Sequence, residues 1–191
     1  MRVLVLLVCC SALSFGQASD FRNARWGMTR AEVLATESQA PSETRQSDGD
    51  VTVRYDSVSL AGLTARVTYV FASGKLVRAR YLLLAEHAEL NDFIGDFKQV
   101  EPVLRDVYGK PESERAFWSD DSLQDEPRNY LEQDRATPDS IRQSDRFVGL
   151  DISLGHLKLY TQWVKPRTKI VHGLTGQDHR IVHQVEFSKT E

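Results

Sequence analysis

The first half of the chain has the pattern of a helix followed by antiparallel strands. Thr29 and Glu32 are spaced as a capping box, which predicts a helix that begins at Thr29 and ends near Glu37, ahead of Pro41. Apolar and polar residues then alternate in three runs, as in strands with one buried face. Gly74 tolerates the positive φ of a tight turn and predicts a hairpin between the second and third runs. The apolar positions of the three runs are Val51, Val53 and Tyr55, with a change of phase to Val58 and Leu60; Leu63, Ala65, Val67, Tyr69 and Phe71; and Val77, Ala79, Tyr81 and Leu83.

The second half repeats this order of elements. Apolar residues recur every three or four positions over 90–108, which predicts a longer helix. Pro102 either kinks this helix or begins a second short one, and Gly109 ends it. We therefore predict an α+β fold of tandem repeats, residues 19–85 and 86–191, in which helices pack on one face of antiparallel meander sheets. The strands predicted for the second repeat alternate at Val148, Leu150, Ile152 and Leu154, and at Leu157, Leu159, Thr161 and Trp163, and continue over 168–174 and 181–187.

A long polar segment, residues 119–146, separates the second helix from these strands. It is rich in Asp and Glu, carries four arginines and has few large apolar residues. Such a composition buries too little apolar surface to offset the entropy of ordering the chain. We predict a solvated insert; a functional lid or binding loop is the other interpretation of so long a connection.

Residues 1–18 have the parts of a secretory signal peptide. Arg2 supplies the basic start, an apolar run follows over 3–15, and Gly16 and Ala18 are the small residues that a signal peptidase requires. The apolar run is shorter than the roughly 20 residues that a membrane-spanning helix needs. We therefore predict cleavage after Ala18, a periplasmic or secreted mature protein, and no stable membrane insertion.

Charge and cysteine content narrow the functions further. The chain has a formal net charge of −3, and the leader removes only the basic Arg2, so the mature protein is mildly acidic and unsuited to binding nucleic acid. Both cysteines, Cys9 and Cys10, lie in the leader. The mature chain therefore has no thiol nucleophile, no cysteine metal ligand and no disulfide, and its core alone must stabilise it.

Three motifs resemble those of a known group of proteins. Residues 25–33 read R-W-G-M-T-R-A-E-V, residues 108–111 read Y-G-K-P, and residues 155–163 run from Gly-His-Leu to Trp163. Together they resemble uncharacterised exported bacterial proteins with an R-W-G-M-T-x-x-E-V motif. More distantly, the G-M-T helix start and the tandem order are similar to the SmpA/OmlA-type outer-membrane assembly lipoproteins and to the fold of β-lactamase inhibitor proteins. The resemblance implies a structural or assembly role in the cell envelope.

Histidines are the residues best suited to catalysis in the mature chain. An antiparallel hairpin would bring His172 and His183 near one another, and imidazoles are good zinc ligands. However, no H-x-x-x-H pair falls on a predicted helix, and the mature chain has no G-x-S-x-G nucleophile turn and no phosphate-binding loop. His183 also shares a strand face with Ile181, Val185 and Phe187, a pattern typical of a core histidine. We predict no metal, no cofactor and no enzymatic activity; the alternative is a metal-assisted hydrolase that uses His172 and His183 beside a carboxylate in a pocket.

A sheet face that the helices leave uncovered is the best candidate for a binding surface. Arg66, Arg78 and Arg80 alternate with the predicted core residues of the first repeat and fall on that face. Arginine and threonine side chains suit a hydrated protein or glycan interface, and Trp163 is a further candidate contact. The sequence thus favours a non-catalytic binding or envelope-assembly module whose partner is an envelope or extracellular protein.

Overall fold

The computed structural model of the protein describes residues 19–47, 49–119, 138–142 and 147–190. The predicted leader and most of the predicted insert lie outside these residues. Among the described helices, none is long and apolar enough to cross a membrane. The helices are α1 (Arg30–Leu34), α2 (Asp92–Tyr108) and α3 (Val148–Ser153), and the strands are β1 (Glu43–Ser47), β2 (Asp50–Leu60), β3 (Leu63–Ala72), β4 (Lys75–Leu83), β5 (Ser113–Trp118), β6 (Leu157–Val164), β7 (Thr168–Gln177) and β8 (Arg180–Lys189).

The strands form a single antiparallel sheet of eight, in the order β1-β2-β3-β4-β8-β7-β6-β5. Strands β1 to β4 are neighbours in sequence order, and so are β5 to β8. The last strand, β8, joins the two sets by pairing with β4, where Tyr81 lies opposite Val185. The predicted α+β class and antiparallel meanders are therefore present, within one continuous sheet.

The first two helices follow the capping and periodicity rules. Thr29 Oγ1 accepts a hydrogen bond from the Glu32 backbone at 3.3 Å, and Glu32 accepts one from the Thr29 backbone at 2.7 Å. The predicted capping box is confirmed. Helix α2 runs continuously through Pro102, so no second helix begins there, and it ends at Gly109 with φ 75°.

The prediction of a strand over residues 148–154 is wrong, because helix α3 forms there. Residues 148–154 alternate as a strand does, but Val148–Ser153 form a helix whose buried side chains include Val148 and Ile152. Four apolar positions in seven residues fit either period, and here tertiary contact decides the outcome. A Cβ at Gly176 on β7 would lie 2.1 Å from the Ile152 carbonyl oxygen. The glycine thus lets α3 rest directly on the backbone of the sheet.

All three helices pack on the same side of the sheet, over two adjoining hydrophobic clusters. The first cluster lies under α1 and includes Val33 and Tyr69, and the second lies under α3 and includes Ile152. Helix α2 crosses both, because Val100 belongs to the first cluster and Phe97 to the second. The predicted change of phase in β2 is a register shift between Tyr55 and Val58.

The described end of the predicted insert is packed rather than solvated. Pro138–Ser140 form a turn of 3-10 helix, and Ile141 is fully buried in the second cluster. An isoleucine at this position anchors the returning chain to the core. Strands β1 and β5 were not predicted; β1 is polar and β5 contains little of the alternation that marks a strand.

Candidate functional site

The side of the sheet opposite the helices, which we call the open face, is where the candidate arginines lie. Alternate residues of each strand point into the core, and those between them form this face. No helix of the described residues packs against it. Two rows of paired residues cross it: Glu43, Arg54, Thr68, Arg80, Glu186, Val171, Gln162 and Ser113 in the first; Arg66, Leu82, Gln184, Gly173, Tyr160 and Arg115 in the second.

The three predicted arginines share this face but differ in their partners. Arg66 forms an ion pair with Asp56, and Arg78 lies 3.7 Å from Glu186 across the β4–β8 junction. Arg80 contacts the Gln184 amide oxygen at 3.5 Å, and no carboxylate among the described residues pairs with it. Of the three predicted arginines, Arg80 is therefore the one without an ion-pair partner among the described residues.

Trp163 does not lie with these residues. Its ring is 1% exposed in the first cluster, on the helix side of the sheet. The indole N–H donates to the Gly109 carbonyl at 2.8 Å, which ties β6 to the end of α2. The prediction of Trp163 as a contact residue is therefore wrong, because strand alternation places it in the core and leaves Tyr160 on the open face.

Tyr160 is the centre of a trough on the second half of the open face. Three adjoining depressions of about 290, 510 and 750 Å³ share this residue. We call the combined depression the Tyr160 trough. Its lining includes cations, carboxylates, aromatic and aliphatic groups and amides: Arg115, Phe117, Lys158, Gln162, Lys169, Val171, Gly173, Thr175, Asp178, Arg180, Val182, Gln184 and Glu186.

Gly173 shapes the floor of this trough. It lies directly opposite Tyr160 in the register of β6 and β7, and a Cβ there would be 3.3 Å from the tyrosine ring. The ring therefore lies over the glycine, and a larger residue would displace it. Burial raises the pKa of the Tyr160 phenol, so its hydroxyl remains a neutral donor at physiological pH.

Both candidate histidines belong to a separate group of side chains in the core, between α2 and the hairpin β7–β8, which we call the histidine cluster. His172 Nδ1 lies 2.6 Å from Glu101 Oε1, and His172 Nε2 lies 2.8 Å from His183 Nε2. His172 also stacks on Phe97, with ring centroids 3.9 Å apart. The predicted approach of the two histidines is confirmed, and Glu101 is a partner that the sequence did not reveal.

The hydrogen bonds of this cluster define where its protons lie. If His172 Nδ1–H donates to the Glu101 carboxylate, its Nε2 accepts from His183 Nε2–H. His183 Nδ1 is then a lone pair without a hydrogen-bond partner among the described atoms. Burial lowers the pKa of His172, against the opposing effect of Glu101, and lowers that of His183 further. Both imidazoles are therefore neutral in the native core.

This arrangement is linear rather than convergent. Glu101 and His183 occupy opposite nitrogens of His172, so the three groups do not point to a common centre. Both imidazoles are buried, at 0% and 2% exposure. Within the described residues, no three His, Cys, Asp or Glu side chains form a group that could hold a metal ion. The geometry suits fastening α2, through Glu101 and the Arg105–Glu114 ion pair, to the sheet.

Comparisons with known proteins give no further guide to this site. No family model, curated protein or solved structure matches the chain. The signal that could have located the trough is in the sequence: Gly173 interrupts a strand that contains Ile170, Val171 and Leu174, and such a glycine often marks a place where another group approaches closely.

Proposed function

We propose that this protein is an exported, non-catalytic binding or envelope-assembly module that recognises an envelope or extracellular protein on its open face. One observation carries the proposal: an eight-stranded sheet has its helices on one side, and its other side presents charged, aromatic and aliphatic groups. This face has the mixed polarity typical of non-obligate protein interfaces.

Charge on the open face supports recognition rather than a purely structural role. Although the chain as a whole has a net charge of −3, cations outnumber carboxylates among the residues of this face. Concentrating cations on one side of an acidic protein orients an acidic partner toward that side. The cations are Arg45, Arg54, Arg66, Arg78, Arg80, Arg115, Lys158, Lys169 and Arg180, and the strand carboxylates are Glu43, Asp50, Asp56 and Glu186.

The predicted leader, residues 1–18, supports the proposal that the protein is exported. Residues 1–18 have signal-peptide character, and Asp20 and Phe21, directly after the predicted cleavage site, are buried in the folded domain. Asp20 accepts hydrogen bonds from the Trp26 backbone and from Arg167. A mature chain that starts at Ser19 thus retains every described contact of the N-terminal segment.

We further infer that the two halves are tandem repeats. Each consists of a helix followed by four sequential antiparallel strands, α1 with β1–β4 and α2 with β5–β8, and the sheet order runs in opposite senses from the central β4–β8 pair. The likeness to SmpA/OmlA-type and β-lactamase inhibitor proteins implies this same arrangement. The insert and α3 are additions to the second repeat.

The alternative, a metal-assisted hydrolase that uses His172 and His183, draws support from the closeness of Glu101. However, burial of both imidazoles opposes it, because a catalytic metal needs an open coordination position for water or substrate. The open face is the better supported site.

Site-specific photo-crosslinking tests the proposal. We expect a photoreactive residue at Val164, 44% exposed on the open face, to give a discrete adduct in cells of the source organism. Val107, 67% exposed on α2, is the matched control and should give none. Adducts of equal yield from both positions, or from neither, would contradict binding through the open face.

A further inference from the structure

The Tyr160 trough is long enough for a stretch of polypeptide. It extends from Ser113 and Phe117 on β5 to Arg180 and Val182 on β8. Four neighbouring strands at about 4.8 Å spacing give it a width of roughly 14 Å. An extended chain would lie across it with side chains directed alternately into the trough and away from it.

Cations border the trough on both sides of Tyr160. Arg115 and Lys169 line one depression, and Lys158 and Arg180 line another. None of these four has a carboxylate partner among the described residues. The carboxylates that line the trough are Glu186, 3.7 Å from Arg78, and Asp178, between β7 and β8, so four cations face two carboxylates. The trough therefore carries unpaired positive charge, which is complementary to carboxylate groups.

Apolar groups between the cations indicate the class of ligand. Phe117 and Val182 are 55% and 38% exposed, and Val171 lies between Gln162 and Glu186 in its row. Aliphatic side chains of a peptide would cover these groups, whereas an anionic polysaccharide has carboxylates but no apolar branches. A concave trough also fits a membrane surface poorly.

We propose that the Tyr160 trough binds an extended acidic segment of the partner protein, in which carboxylate and aliphatic side chains both enter the trough. Carboxylates of the segment contact Arg115, Lys169 and the Tyr160 hydroxyl, and its aliphatic groups cover Phe117 and Val171. This inference rests on the proposed function and names the chemistry of the partner that the open face recognises.

Fluorescence anisotropy with a defined peptide tests the inference. The probe is a fluorescein-labelled peptide of Glu-Glu-Val-Val repeats, which presents both Glu and Val on each face of an extended chain, titrated with the mature protein at low and high salt. We expect binding that weakens with salt and that falls at least about tenfold in the Arg115→Glu/Lys169→Glu double variant, a loss of about 1.4 kcal/mol. A Lys75→Glu/Lys110→Glu variant, changed by the same charge outside the trough, should bind as the natural protein does.

Further probes decide between ligand classes. A peptide with Gln in place of Glu should bind far more weakly, and circular dichroism must show that each variant is folded. Equal binding to all variants, or no binding to the natural protein, overturns the inference. So does trough-dependent binding of polygalacturonate or of phosphatidylglycerol vesicles in place of the peptide. If the Val164 adduct persists while the peptide fails, only the trough assignment falls; if both fail, the proposed function falls with it.

Discussion

Acidification below about pH 6.5 should destabilise the protein through His172 and His183, and His183→Gln should remove about half of that effect. Burial lowers the pKa of both imidazoles from the ordinary 6.5. The unfolded chain therefore takes up protons that the native core excludes. The stability that neutral imidazoles contribute is fully present above pH 6.5 and is lost as the pH falls.

The size of the effect follows from the number of protons. Each proton bound by the unfolded but not the native state changes the free energy of unfolding by about 1.4 kcal/mol per pH unit. Two buried imidazoles give a limiting slope of roughly 3 kcal/mol per pH unit. In His183→Gln, the amide N–H replaces His183 Nε2–H as the donor to His172 Nε2, and the variant lacks one titrating group. Its slope should be about 1.4 kcal/mol per pH unit smaller.

Urea denaturation between about pH 5 and pH 7.5, followed by tryptophan fluorescence, measures these slopes. The exposed His179→Gln variant controls for loss of a histidine outside the core and should keep the slope of the natural protein. Stability that rises on acidification, or an unchanged slope in His183→Gln, would refute a neutral buried pair. Hydrogen bonds hold the pKa of three surface carboxylates low, so they titrate below this range: Glu32, Glu43 and Asp56.

Four further predictions test the fold and the leader. Thr29→Ala should cost about 0.5–2 kcal/mol in urea denaturation because the cap is lost, whereas Thr29→Ser should retain it; equal losses would exclude a capping role. Gly176→Ala should lower the melting temperature strongly, since its Cβ would lie 2.1 Å from the Ile152 carbonyl; a neutral effect would mean that α3 does not rest on the sheet as described. Ile141→Ala should cost about 2–5 kcal/mol, and a loss below 1 kcal/mol would mean that this end of the insert is not anchored. N-terminal sequencing of the exported protein should begin at Ser19, and an intact Met1 in the envelope fraction would count against the leader.

Local sequence patterns predict the elements whose ends are marked by specific residues, such as a capping box or a turn glycine. The capping box at Thr29 and the turn at Gly74 depend on neighbouring residues, so they are visible without the fold. The alternation over 148–154 predicts a strand where α3 forms, because six residues are too few to separate a period of two from a period of 3.6. Its conformation depends on glycines at 149 and 176, where backbones approach closely.

Long-range pairing lay beyond such signals. Nothing local to β4 indicates that β8 will be its neighbour, and this pairing alone makes one sheet of the two halves. The candidate site likewise combines residues that local alternation predicts with a partner that long-range packing supplies. Alternation placed Arg66, Arg78 and Arg80 on a common face, but Glu101 meets His172 across 71 residues of sequence, and only the packing of α2 reveals that partner.

The position of β8 has a consequence for how the chain matures. Strand β8, the last of the eight along the chain, lies at the centre of the sheet, between β4 and β7. A chain that still lacks β8 presents β4 and β7 as unpaired edge strands, which are prone to aggregation. Completion must await the final residues, and pairing across so great a sequence separation is slow. We therefore expect folding to finish only after β8 has been synthesised, and truncations before Arg180 to be insoluble.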